Sequence, residues 1–193
     1  MIVHPIAVRL MHWTNAVATL MMIFSGWQIH NAYPILPFDF PSWMTLGGWL
    51  GGALLWHFAA MWVLAANGVF YLAYGVITGR FRRKLFPLSP RSLVADLRAA
   101  MRGRLAHADL SVYNAVQKFS YVGVSALLVL VVLSGIALWK PVQFGTLSAV
   151  FGGFQGSRLV HFIAMAGIAA FVLIHVAMSF LLPRSLLAMV RGR

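Results

Sequence analysis

The chain contains no cysteine and no glutamate, and its only carboxylate side chains are Asp39, Asp96 and Asp109. Without cysteine there is no disulfide, thiolate zinc site, iron–sulfur cluster or covalently attached c-type haem. Without paired carboxylates, acid/base hydrolysis of the glycosidase kind is excluded. Charge is scarce altogether: 9% of the 193 residues are charged, against 61% hydrophobic. A soluble domain carries roughly 25% charged and 45–50% apolar residues, so neither a soluble enzyme nor a disordered chain fits. Phosphate-loop and dinucleotide fingerprints are missing. Residues 1–13 carry no cleavage pattern of a signal peptide, and the first apolar run is expected to continue as a span.

Long apolar runs are what the chain has instead. A membrane-crossing helix needs about 20 such residues, so a chain of this length holds four spans and their loops as a single domain. The runs predict spans at about 11–29, 43–78, 113–139 and 157–182, bounded by Pro41, Gly79, Pro141 and Pro183. The expected fold is an all-α, integral-membrane four-helix bundle.

The net charge of +12 would point to nucleic acid on a soluble protein. Here the basic residues lie between the apolar runs and read as an orientation signal, with no nucleic-acid partner. Arg80, Arg82, Arg83, Lys84, Arg91, Arg98, Arg102 and Arg104 fill the segment 79–111, and Arg184, Arg191 and Arg193 close the chain. The segment 31–42 has no Lys or Arg and 140–156 has only Lys140 among them, with Arg158 just beyond. The expectation is that both termini and the middle segment are cytoplasmic. The two outer loops, rich in Pro and aromatics, read either as interfacial belts or as a docking surface for an extracytoplasmic partner.

Histidine carries the chemistry. An ionisable residue inside a span is a functional hypothesis by default. His161 and His175 are 14 residues apart on one predicted helix, so they share a face and differ in height by about 21 Å. That spacing suits two cofactors stacked in a bundle, held by inward side chains, and neutral imidazole is a good ligand for haem iron. Each iron needs a second ligand at matching depth. His57 precedes Arg80 by 23 residues, as His161 precedes Arg184, so these two pair towards the outer face. His12 opens the first span at the cytoplasmic side and pairs with His175. His30 competes as an outer ligand, but its rise of about 27 Å from His12 overshoots the spacing in the fourth span. His4 and His107 lie outside the spans, with proton handling an alternative for His4.

Gly47, Gly48, Gly51 and Gly52 before His57, and Gly152, Gly153 and Gly156 before His161, read as close helix packing or as room for a porphyrin edge. Arg9 and Arg158, near His12 and His161, read as snorkelling cations or as partners of haem propionates. Asn114, Gln117 and Lys118 share a face at the cytoplasmic start of the third span. They read as headgroup contacts or as a pocket for a quinone, whose carbonyls accept hydrogen bonds.

The segments HPIAVRLMHWTNA with SGWQI, YNAVQK, and RLVHF with LIHV resemble the cytochrome b561-like superfamily over nearly the whole chain. That group includes the cytochrome b subunits of nickel–iron hydrogenases, the gamma subunit of formate dehydrogenase and thiosulfate-reductase-type enzymes. The resemblance implies a di-haem b subunit of the bacterial cytoplasmic membrane, its ligands matching His12, His57, His161 and His175. It places a quinone beside an Asn matching Asn114, with Val116 where those relatives have glycine. It also implies a periplasmic partner, a molybdopterin enzyme or a hydrogenase, that carries the substrate chemistry. The expected function is electron transfer between that partner and the quinone pool. Two alternatives stand beside it: a self-contained superoxide:quinone oxidoreductase of the same fold, and a haem-free anchor or transporter.

Overall fold

The computed structural model describes residues 4–85, 89–102 and 115–192. They are almost entirely helical: α1 (Ile6–Ala32), α2 (Leu50–Ile77), α3 (Arg80–Leu85), α4 (Pro90–Met101), α5 (Ala115–Trp139), α6 (Gly145–Val150), α7 (Gly153–Leu181) and α8 (Pro183–Arg191), with one 3₁₀ turn at Ser42–Met44. No strand occurs among the described residues. α1, α2, α5 and α7 are the four helices long and apolar enough to cross a membrane, and the fold class is all-α and membrane-spanning, as composition requires.

Burial is inverted relative to a soluble protein. Most of the buried residues are small, Ala18, Ala53 and Ala60 in one part and Ala137 and Ala164 in another. Large side chains such as Leu55, Trp62, Phe70, Leu173 and Phe180 are exposed. In lipid the apolar exterior carries no penalty, and helices associate through close contact of small residues.

The chain divides into two compact units. The first comprises Met1–Thr78 and Met189–Arg193, with α1 packed on α2; the second comprises Gly79–Ala188, with α5 packed on α7. In the first unit α2 starts at Leu50 and not near residue 43. Gly47 and Gly48 have φ of 111° and 73°, left-handed conformations that end any helical path there. These glycines therefore form a turn, not a helical packing stripe. The second unit repeats the device: Gly152 and Gly153, at φ 86° and 78°, lead into α7. The connections between the paired helices differ. Asn31 clamps the first by donating to the Phe40 carbonyl at 2.7 Å and accepting from the Phe40 N–H at 2.8 Å. The second contains the short helix α6.

The basic segment after α2 contains two further helices, α3 and α4. Asp96 on α4 accepts from the Ala115 N–H at 2.7 Å and so caps the start of α5, where the dipole favours a carboxylate. Pro183 ends the fourth span as expected, and it also opens α8, for which its fixed φ is preorganised.

Candidate functional site

In the first unit His57 on α2 faces Ser25 on α1, with Nδ1 3.0 Å from Oγ. Ser25 is fully buried, and its Oγ lies 2.6 Å from the Met21 carbonyl of its own helix. Gly26 follows it; a Cβ there would stand 3.7 Å from His57 Cε1, an ordinary contact. The Ser25 contact sets the height of His57 along α1. His12 precedes Ser25 by 13 residues, a rise of about 20 Å. Near His12, the buried Asn67 of α2 donates to the Met11 carbonyl at 2.9 Å and to Asn15 Oδ1 at 2.6 Å. The His12 ring meets Trp13 edge-on at 5.1 Å.

The second unit repeats the His57–Ser25 arrangement. His161 on α7 faces Ser134 on α5, with Nδ1 3.1 Å from Oγ. Ser134 is fully buried, and its Oγ lies 2.7 Å from the Leu130 carbonyl. Gly135 follows Ser134, and a Cβ there would stand only 3.1 Å from His161 Cε1. Along α7, His175 lies 14 residues on, about 21 Å lower on nearly the same face, with its ring stacked on Phe171 at 5.6 Å.

The remaining candidates are placed as follows. His30 is buried in an aromatic nest, stacked on Phe38 at 5.2 Å and edge-on to Phe40 at 5.4 Å. It lies five residues beyond Ser25, about 7.5 Å past the level of His57. Arg9 donates from Nε to the Met189 carbonyl at 3.2 Å and from Nη2 to the Val190 carbonyl, engaging the last turn of α8. The carbonyl of His4 lies beside Gly192. Arg158 sits on α7 one turn before His161 and donates to Gln155 at 3.0 Å. Lys118 is half-buried in the first turn of α5. Asn114 and His107 lie outside the described residues.

Among the described residues no group of three or more His, Cys, Asp or Glu gathers to hold a bare metal ion. What recurs is an imidazole at each of two levels, with nearly equal spacing in both units. Such a donor set fits a cofactor whose macrocycle supplies the other ligands, as haem does. The sequence reading passed over Ser25, Ser134, Asn15 and Asn67. The available signal was a polar residue within an apolar span, and the dipeptide Ser-Gly repeated in the first and third spans.

The family described as prokaryotic cytochrome b561 matches residues 3–192. A protein of Azospira oryzae, named protein-methionine-sulfoxide reductase subunit YedZ1, is 52% identical over 190 residues, covering 98% of this chain and 96% of that one. No solved structure matches. The family is one of haem b proteins, and the four apolar helices suit a membrane cytochrome of that kind. The chain belongs to the prokaryotic cytochrome b561 family, as a multi-pass inner-membrane subunit of electron transport.

Proposed function

We propose that this chain moves electrons between quinol in the membrane and a periplasmic oxidoreductase, holding two haems b through His57 with His161 and through His12 with His175. The observation that carries this reading is the matched spacing. The His levels differ by about 20 Å along α1 and about 21 Å along α7, so each helix pair offers two imidazoles at nearly the same spacing. When bound, haem b supplies a one-electron carrier at each depth.

The chain's own residues do the rest. Four imidazoles provide neutral nitrogen ligands, and the apolar helices around them exclude water. Arg158, one turn from His161, is a cation for a propionate, and Arg9 serves the inner level in the same way beside its bonds to α8. Lys118, with Asn114 just before α5, would donate to the carbonyls of a quinone headgroup. Protons released there would leave to the cytoplasm, the side assigned by the basic segment that includes α3 and α4.

The relative's name supports both the partner and the direction of flow. A subunit of a protein-methionine-sulfoxide reductase delivers electrons to a reduction, so quinol is the donor and the periplasmic partner the acceptor. The test uses the full chain in detergent. The expected result is a Soret band, two haems b per chain by pyridine haemochrome assay, and reduction by a water-soluble quinol. Reoxidation should follow when the co-purifying periplasmic subunit and methionine sulfoxide are added. Absence of a Soret band, or a spectrum unchanged in His161→Ala, would overturn the haem assignment. Failure of methionine sulfoxide to reoxidise the complex would overturn the partner.

A further inference from the structure

A serine hydroxyl has one proton to donate and lone pairs to accept with. In Ser25 the proton is committed to the Met21 carbonyl at 2.6 Å, and in Ser134 to the Leu130 carbonyl at 2.7 Å. Each oxygen can then meet the facing imidazole only as an acceptor. The Nδ1 atoms of His57 and His161, at 3.0 and 3.1 Å, must therefore be the donors. A neutral imidazole has a single N–H, so this geometry puts the lone pair of both rings on Nε2. The arrangement occurs twice, from different helices, and in each case the glycine after the serine lies next to the facing ring, closely so at Gly135.

We propose that Ser25 and Ser134 are positioning residues for the outer cofactor. They hold His57 and His161 in the Nδ1–H tautomer, orient both Nε2 atoms as iron ligands, and raise the basicity of those ligands. The inference rests on the haem reading above. A hydrogen-bond acceptor on the far nitrogen makes an imidazole a stronger electron donor, which stabilises the ferric over the ferrous state. The two serines together lower the potential of the outer haem.

Redox titration of the haem-loaded full chain tests this. Ser25→Ala and Ser134→Ala are each expected to raise the midpoint of the same haem, leaving the other in place. The expected size is about a tenfold change in its oxidised-to-reduced ratio, or about 59 mV for one electron. The ferric low-spin electron paramagnetic resonance signal of that haem should move with it. Ser25→Thr and Ser134→Thr keep the hydroxyl and should restore both readings. Ser125→Ala is the control: this exposed serine of α5 bonds the Tyr121 carbonyl in the same way, and its loss should change nothing. If both alanine variants keep two haems with unshifted midpoints and signals, the proposal fails while the haem reading stands. If an alanine variant loses its haem, retention in the threonine variant supports the proposal, and loss there too assigns the serine to packing and overturns it. A wild-type chain without haem overturns the underlying reading itself.

Discussion

The two helix pairs solve one problem in different surroundings. Each sets a histidine of its second helix against a Ser-Gly step of its first, and each enters that second helix through a glycine pair with positive φ. Around this shared element little else matches. The first pair carries a polar link, Asn67 to Asn15 and Met11, near the level of His12. In the second pair His175 stacks on the ring of Phe171. The first pair closes the connection between its helices with the Asn31–Phe40 clamp and a stack of Trp27 on Phe40 at 4.6 Å; the second uses α6. The recurring part is the one that fixes an imidazole in space. The varying parts bear on local stability and on the surface each unit offers.

The sharpest way to break the comparison is to remove the histidines. His57→Ala and His161→Ala should each reduce the bound haem from two per chain to one, and spectra should show the same haem missing in both. His12→Ala and His175→Ala should remove the other. If His30→Ala removes the outer haem instead, the level assigned through Ser25 is wrong.

A smaller effect separates the two units. A Cβ at residue 135 would crowd the His161 ring at 3.1 Å, whereas one at residue 26 would make ordinary contact with His57 at 3.7 Å. Gly135→Ala is therefore expected to weaken retention of the outer haem about tenfold, the lower end of what misplacing a metal ligand costs. Gly26→Ala should retain haem as the wild type does, and alanine's better helix propensity, up to about 1 kcal/mol, acts in its favour. Equal losses in the two variants would show that the closer approach in the second unit has no consequence.

The smallest effect concerns the polar link of the first unit. Asn67 is 8% exposed and bonds two groups of α1. Hydrogen bonds between membrane helices average about 0.6 kcal/mol and reach about 1.7. Asn67→Ala should lower stability by roughly 1 kcal/mol, read as a lower midpoint of thermal unfolding by circular dichroism. Haem content should stay at two per chain.

Much of the fold was legible because its signals are local. Twenty-odd apolar residues bounded by Pro or Gly make a span wherever they occur. The start of α2 was misplaced because apolar character continues through Trp43, Met44 and Leu46, while the glycine turn at Gly47 and Gly48 breaks the helix. α3 and α4 were passed over because a dense run of Arg reads as an orientation signal, although Pro90 marks the start of a helix. Histidine was conspicuous in an apolar background. Serine was not, since it is a common packing residue in such helices and becomes informative only when its neighbour is known.

Four apolar helices, the exclusion of any cysteine-held cofactor and two histidines about 21 Å apart on the fourth span can be read from the residues alone. Those follow from composition and from the fixed rise of a helix. That His57 meets Ser25 and His161 meets Ser134, across separations of 32 and 27 residues, is visible only in the folded chain. A helix's own periodicity gives height and face along that helix alone. Which residue of the next helix lies at the same height depends on their mutual register, and that is set where the small buried residues let the two backbones approach.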